Sequence, residues 1–350
     1  MAVTDLDYEL PPELIAQRPP LERDGGRLLV LDRDRAELAH RAVRDLPALL
    51  APALFVVNDT RVLPARIHGR KPTGGRVELL LLERLGPRGT LERWLALGRA
   101  SKGLRAGEEL AIDGALHARV IERREGAVIE VELAASGGVR EALERAGHVP
   151  LPPYVAREDE PSDRERYQTI FAAEEGSVAA PTAGLHFTPR LVEALEARGH
   201  RVARLTLHVG AGTFRPIQSD DLASHPMHAE RFAIGEELAA AVALAKREAR
   251  PVVAVGTTVV RALESACDEK GSLRAGESST RLFIRPPYGF RVVDALMTNF
   301  HLPRSTLLAL VMALAGVEAT RAAYAAAVRE RYAFYSYGDA MLIRDARSRP

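Results

Sequence analysis

The stretch PVVAVGTTVVRALESA, Pro251 to Ala266, decides the fold. It opens on a short apolar run of the kind buried on both faces of a parallel sheet. Gly256, Thr257 and Thr258 then open a helix. A buried strand passing directly into a helix is half of a β–α unit, and such units build sheets with helices on both faces. The same rhythm recurs along the chain. SVAAP reads as a strand before a helix with Thr188 as N-cap, Pro189 at its first position and Gly199 past its end. RVARLTLHV reads as a strand and GEELAAAVALAKREA as an amphipathic helix. RVVDALMTNF reads as a further strand, after which Pro303 starts the helix PRSTLLALVMALAG. The fold class expected is α/β, a mainly parallel sheet with flanking helices.

Upstream, ALFVVNDTRV (Ala53 to Val62) reads as another buried strand, closed by an Asn-Asp-Thr turn. Beyond it the texture changes. RIHGRK, RVELLLLERL, RWLALGRASKG, EELAID, ALHARVIERR and GAVIEVELA are short β-like runs separated by glycine. Evenly spaced short strands suggest a small barrel. A helical pattern, GGVREALERAGH, and the proline-rich VPLPPYV close the segment. The expected organisation is an inserted small β-barrel domain over residues 61–156, with residues 1–60 and 157–350 forming a discontinuous α/β domain.

With 350 residues, 47% of them apolar, the chain has room for two domains and a substantial core. Net charge is only +1, yet eleven basic and three acidic residues fall between Arg61 and Arg105. Such a segment suits a phosphate backbone, and it equally suits a solvated arginine-rich surface. Arg66, Arg70, Lys71 and Lys102 are the leading phosphate contacts. A single cysteine, Cys267, excludes an internal disulfide and a thiolate-rich metal site. The first residues lack a basic region followed by an apolar run, and the longest apolar run, Leu307 to Ala315, is too short to span a bilayer. A soluble, cytoplasmic monomer without membrane partners is expected. No lysine follows a glycine, so there is no P-loop, and no Gly-x-Ser-x-Gly elbow occurs.

Four polar loops follow the expected strands: PTAGLHFT, VGAGTF, GTTVVR and TNFHLPRST. In an open parallel sheet, ligands bind beyond the carboxyl ends of the strands, so loops far apart in sequence converge on one site. Gly210-x-Gly212 is not a dinucleotide fingerprint, because Arg215 stands at the third glycine position and Pro216 follows. It is either a tight turn or a place where backbone lies against a ligand. Thr257 and Thr258 offer the N–H groups of a helix start to a carboxylate, or they are ordinary caps. His186, His208 and His301 fall in three of these loops. Imidazole titrates near working pH, so each is a candidate base, and each has a plainer role in fixing a loop or orienting substrate. His225, His228 and Glu230 resemble metal ligands by type, but H-x-x-H-x-E is not a zinc pattern and no metal is expected.

Together PTAGLHFT, LHVGAGTF, MHAERF, VGTTVVRALES, TNFHLPRSTL and FYSYGDAM, with NDTRVLPARIHGRK and PLPPY earlier, resemble the S-adenosylmethionine:tRNA ribosyltransferase-isomerases of queuosine biosynthesis. The likeness runs from LDYELPPELIAQRP to YGDAMLI. It implies an α/β domain with an inserted β-barrel. It also implies that the ribosyl moiety of S-adenosylmethionine is transferred and isomerised onto 7-aminomethyl-7-deazaguanine at the tRNA wobble position. The product is epoxyqueuosine-tRNA, with adenine and methionine released. S-adenosylmethionine is then a consumed substrate, no cofactor is implied, and the partner is tRNA carrying 7-aminomethyl-7-deazaguanine. Within the matched blocks the substrate-contact candidates are Thr182, Gly184, Gly210, Gly212, Thr213, Glu230, Thr257, Thr258, Arg261 and Asn299. The base that removes the sulfonium-acidified C5′ proton is sought among His186, His208, His228 and His301, with Asp339 as the carboxylate alternative. Arg231 and Val259 stand where that family more often has tyrosine and serine.

Two other readings remain. A conventional S-adenosylmethionine-dependent RNA methyltransferase lacks support, because its acidic-x-G-x-G-x-G loop is missing. A non-catalytic tRNA-binding factor built on the barrel leaves the four polar loops unexplained.

Overall fold

A computed structural model describes residues 2–113, 116–210, 222 and 227–350. The sheet starts with a hairpin, β1 (Arg27–Asp32) and β2 (Glu37–Ala42). β3 (Leu54–Asn58) is buried at every position, as its apolar run requires. Its side chains alternate between two cores: Leu54 and Val56 join one apolar cluster, Phe55 and Val57 the other. Asn58 ends the strand by accepting from the backbone N–H groups of Thr60 (3.1 Å) and Leu207 (3.0 Å).

β4 (Thr60–Val62) leads into a closed barrel of β5 (Arg66–Arg70), β6 (Arg76–Arg84), β7 (Leu91–Ala100), β8 (Glu109–Ile112), β9 (Leu116–Arg123) and β10 (Val128–Ala134). The strands close in the order β10-β7-β6-β5-β8-β9, every ladder antiparallel. Ile67, Leu79, Leu81, Ala96, Val120 and Val131 fill the interior, joined by Val139, Ala142 and Leu143 of helix α1 (Val139–Ala146).

The chain returns through α2 (Asp163–Arg166) and β11 (Glu174–Ser177). It then alternates through α3 (Pro189–Ala197), β12 (Arg201–Leu207), β13 (Glu230–Ile234), α4 (Glu236–Arg247), β14 (Val252–Val255) and α5 (Thr257–Ala266). It ends with β15 (Gly276–Thr280), β16 (Ala295–Asn299), α6 (Thr306–Ala315), α7 (Val317–Arg329) and β17 (Ala340–Arg344). The sheet has nine strands in the order β15-β13-β12-β3-β14-β16-β17-β1-β2. Its centre, β12-β3-β14-β16, is parallel, as is the β17–β1 pair. The sheet as a whole is mixed, because β16–β17 and the flanking pairs are antiparallel. The cause at β17 is its connection. A single helix returns the chain for a parallel partner, but α6 and α7, bent by 115°, bring it back from the opposite end.

Two local expectations change. SVAAP is not a strand of the sheet; only Ser177 belongs to β11, which pairs with β4 in a separate two-stranded ribbon. The helix expected from Pro303 begins at Thr306, because Arg304 adopts φ 54° and Ser305 supplies the cap, accepting from the Leu308 N–H at 3.1 Å. The α3 caps are as expected: Thr188 accepts from the Leu191 N–H at 3.1 Å, and Gly199 follows at φ 81°. Among the described residues no single helix is long and apolar enough to cross a membrane.

The barrel seam offers a test. A Cβ on Gly69 in β5 would lie 2.4 Å from the Ala111 carbonyl oxygen and 2.7 Å from Ile112 Cδ1. Gly69→Ala should therefore cost about 1–3 kcal/mol, the usual penalty of overpacking. Trp94, the one tryptophan, is buried in the barrel and reports on it. A lower urea midpoint by Trp94 fluorescence is expected; an unchanged midpoint would mean that the seam opens at no cost.

Candidate active site

The four polar loops meet in one cleft. The segment after β11 brings Pro181, Thr182 and Ala183, and the loop after β12 brings Val209. The start of α5 brings Gly256, Thr257 and Thr258. The end of β16 and the turn beyond it bring Thr298, Asn299, His301 and Ser305. Tyr154, Tyr335 and Ser336 close the remaining wall. None of the described residues lining it carries Asp, Glu, Lys or Arg.

Helix α5 points its N-terminus here. Its N-cap is Gly256 at φ 97°, which has no side chain to offer, and no side chain caps the helix. Thr257 and Thr258 are the first two helical residues, so the capping role is not theirs. Unsatisfied N–H groups and the helix dipole together make such an end attractive to an anion.

Asn299 is the polar hub of the cleft wall. Its Nδ2 donates to the Tyr335 carbonyl oxygen (3.0 Å) and to His186 Nε2 (3.2 Å). A backbone carbonyl only accepts, so the group facing it must be the NH2, and His186 Nε2 must then be an acceptor. This fixes His186 as the Nδ1–H tautomer. Burial pushes its pKa down to about 4, against smaller upward pulls from Asp339 and a hydrogen bond to the Arg23 backbone. His186 therefore orients Asn299, and its lone pair is already in use. His301 lines the cleft itself. Its Nε2 meets the Thr298 hydroxyl at 2.8 Å, its N–H donates to the Tyr324 hydroxyl (3.1 Å), and its carbonyl accepts from the Tyr8 hydroxyl (2.5 Å). Burial lowers its pKa to about 3.

His208 and His228 lie elsewhere. They border a second cleft of about 760 Å³ between the sheet edge and the barrel, shared with Gly210, Arg84 and Trp94. His208 meets the Thr60 hydroxyl at 2.9 Å through Nδ1. Its ring packs where a Cβ of Gly176 (φ 152°) would sit, within 2.8 Å, so a side chain there would displace it. Burial chiefly, and then Arg231, lower its pKa. His228 is exposed. Val209 borders both clefts.

Several sequence expectations are corrected. Asp339 does not serve as a free base. Its carboxylate accepts from the backbone N–H groups of Arg27 and Ala333, both at 2.8 Å, and pairs with the Arg27 guanidinium at 3.0 Å. Arg261 forms a buried ion pair with Glu230 and donates to the Leu282 carbonyl oxygen at 3.0 Å, away from the first cleft. Gly184 packs on Thr169, where a Cβ would come within 2.9 Å, and does not line the cleft. Gly210 has open space around its Cβ position, so no close approach explains it in this structure. On the barrel, Lys71 is not a free phosphate contact: it pairs with Glu108 at 2.9 Å with little of its side chain exposed. Arg66 donates to the Leu151 carbonyl oxygen at 2.9 Å and is partly covered, whereas Arg70 and Lys102 are exposed. Gly212, Thr213 and His225 lie outside the described residues. Sequence reasoning missed Tyr154, Tyr335 and Ser336 as cleft residues, although PLPPY and FYSYGDAM contain them.

Burial of His186 and His301 gives a pH signature. Both bind protons more weakly folded than unfolded, so above pH ~6.5 they are neutral in both states and add no pH dependence. As pH falls from about 6.5 towards 4, the unfolded chain takes up protons that the folded chain refuses, and stability drops. In urea titrations between those pH values, His301→Asn should lessen that slope by up to about 1.4 kcal/mol per pH unit, one proton's worth. An unaltered slope would mean that His301 titrates alike in both states.

Sequence comparison supplies the family. The family model described as "Queuosine biosynthesis protein" matches residues 3–343. The S-adenosylmethionine:tRNA ribosyltransferase-isomerase of Sorangium cellulosum (strain So ce56) is 57% identical, over 97% of this chain and 97% of that relative. The protein of the same description from Anaeromyxobacter sp. (strain Fw109-5) is 54% identical, over 99% of this chain and 100% of its own length. The crystal structure of S-adenosylmethionine tRNA ribosyltransferase from Thermotoga maritima is similar with a TM-score of 0.54 at 36% identity, covering 97% of this chain and 99% of that one. With one family model running almost end to end and relatives matched over their full length, the chain belongs to the queuosine biosynthesis protein family.

Proposed function

We propose that this chain transfers and isomerises the ribosyl moiety of S-adenosylmethionine onto 7-aminomethyl-7-deazaguanine at the wobble position of tRNA, giving epoxyqueuosine-tRNA with release of adenine and methionine. The observation that carries this reading is a cleft whose described lining residues are uncharged, built from the segments after β11, β12, β14 and β16, with an uncapped helix N-terminus on its wall. Residues 1–60 and 157–350 are the catalytic part, and residues 61–156 the tRNA-binding insertion.

The chemistry follows from the lining. The methionine carboxylate sits at the N-terminus of α5, where backbone N–H groups and the dipole favour negative charge. The sulfonium then lies where none of the described lining residues offers a carboxylate to balance it. A cation held without a counter-ion favours whatever step removes its charge, and loss of the C5′ proton beside sulfur does so. Of the four histidines, only His301 lines this cleft. With a pKa of about 3 it is neutral at working pH but a weak base. It can receive a proton only from a carbon that the unpaired sulfonium has already made acidic.

Incubation of the protein with S-adenosylmethionine and wobble-modified tRNA should release adenine and methionine. S-adenosylhomocysteine as the product would replace this reading with a methyltransferase. Thr258→Asp isolates the carboxylate site. A carboxylate in the first turn suits the helix, so stability should hold, while the donor's KM should rise by roughly tenfold or more. An unchanged donor KM would remove α5 from the site.

The barrel prediction concerns salt. Arg70→Glu and Lys102→Glu should each weaken tRNA binding and flatten the dependence of log K on log salt by about one unit. Lys71→Gln should leave the slope as it is, because Glu108 already holds that ammonium group. The opposite ranking would place the RNA on another face.

A further inference from the structure

Two polar atoms of the cleft residues have no partner among the described residues. Asn299 is 2% exposed and Tyr335 5% exposed. The Asn299 Oδ1 and the Tyr335 hydroxyl are both buried without a hydrogen bond. Buried polar atoms are nearly always paired, and each orphan is a cost that folding must absorb. Both residues line the same cleft.

The backbone carries a third sign. Tyr335 holds φ 71°, a left-handed conformation that is a genuine outlier for a bulky side chain. The surroundings enforce it. The Tyr335 N–H donates to the Phe300 carbonyl oxygen at 3.2 Å, and its own carbonyl accepts from Asn299 Nδ2 at 3.0 Å. Its ring stacks on Tyr154 with centroids 4.4 Å apart and planes 19° apart, and the Tyr154 hydroxyl is tied to Ser336 Oγ at 2.5 Å. Three contacts thus hold a strained residue in place and a fourth braces its stacking partner, yet its hydroxyl has no partner among the described residues. Strain of this kind persists where a function needs it.

The two orphans differ in kind. Asn299 Oδ1 only accepts, because its NH2 is committed to Tyr335 and His186. The Tyr335 hydroxyl can donate, and burial pushes its pKa well up, so it keeps its proton. Two residues lining the cleft therefore carry one unused acceptor and one unused donor. Granted that this cleft takes S-adenosylmethionine, the donor's parts can be sorted. The carboxylate belongs at α5. The ribose hydroxyls rotate and would suit many pairs. The adenine edge is rigid, with an amine that only donates beside ring nitrogens that only accept. We propose that Asn299 and Tyr335 read the adenine of the donor, Asn299 Oδ1 accepting from the exocyclic amine and the Tyr335 hydroxyl donating to a neighbouring ring nitrogen. Tyr335 is then a specificity residue for the nucleobase, and Tyr154 and His186 hold the pair in place.

The test compares S-adenosylmethionine with S-inosylmethionine, in which a carbonyl replaces the exocyclic amine and N1 carries a hydrogen. Turnover with wobble-modified tRNA is measured for both donors. The parent protein should prefer the adenine donor by roughly 10²-fold or more, since a site built to hydrogen-bond a group rejects the analogue lacking it. Tyr335→Phe keeps the ring, the stacking and the backbone contacts. It should lower kcat/KM for S-adenosylmethionine about tenfold and shrink the preference, as should Asn299→Ala. If both variants keep the parent's preference while Thr258→Asp raises the donor KM, the adenine assignment is wrong and the donor site stands. If none of the three changes donor kinetics, the cleft is not the donor site and the assignment falls with it. A change confined to the KM for tRNA would also overturn it, assigning the pair to the wobble base instead.

Discussion

The Asn299 side-chain amide holds the cleft together. One NH2 group reaches His186, which is 113 residues away, and Tyr335, which is 36 away. It ties the end of β16 to the turn after β11 and to the approach to β17. If it turned over, the carbonyl oxygen would face the Tyr335 carbonyl and the acceptor nitrogen of His186, and two buried acceptor pairs would repel. The position of Tyr335, the tautomer of His186 and the direction of Oδ1 all follow from that one orientation. The parallel ladder β14–β16 sets the frame, because its register brings the start of α5 level with Asn299.

The second constraint is that the described residues lining the cleft carry no charge. The described lining offers hydroxyls, the Asn299 amide, the His301 imidazole and aromatic rings, and burial keeps His301, and His186 behind Asn299, neutral. The charged groups nearby are consumed structurally. Asp339 secures the turn before β17 through two backbone N–H groups and Arg27. Glu264 accepts from the N–H groups of Arg291, Val292 and Val293, each at 3.0 Å, and anchors the segment entering β16. A cavity walled by neutral groups magnifies a charge brought into it, because low-polarity surroundings screen it weakly. That suits a substrate whose own cation drives the chemistry.

What was legible in the sequence was local. The buried strands at Leu54 and Val252, the Thr188–Pro189 helix start and the glycine after it are short-range signals, and the structure repeats them. Glycine spacing announced the barrel. The four loops were legible because the strands before them set where they emerge. Pairings between distant residues were not. Nothing near Lys71 shows that Glu108 will neutralise it, or near Arg261 that Glu230 will bury with it. The antiparallel entry of β17 depends on α7, a second helix beyond PRSTLLALVMALAG and outside the elements expected from the sequence. Tyr335 stayed hidden because a left-handed tyrosine has no sequence signature; tertiary contacts impose it.

The way the barrel is fastened explains why the second cleft exists. Arg88 and Arg140, on the barrel side, both grip Glu175 in β11, and Arg231 in β13 reaches Glu83 in β6 at 2.7 Å. These arginines are about half exposed or more, so each pair is worth at most roughly 1 kcal/mol and weakens with salt. Apolar burial also crosses this boundary: Val62, Val149, Leu151 and Val155 pack with Tyr167, Ala180, Leu185 and Tyr337, and Val178 joins the barrel core. That cluster and the pairing of β4 with β11 carry most of the attachment. On the side held by these polar pairs there is room between the halves, and the loop bearing His208 and Val209 runs along it. Ser177 clamps this loop, accepting from the Val209 N–H at 2.9 Å, so the wall between the two clefts is fixed from the β11 side.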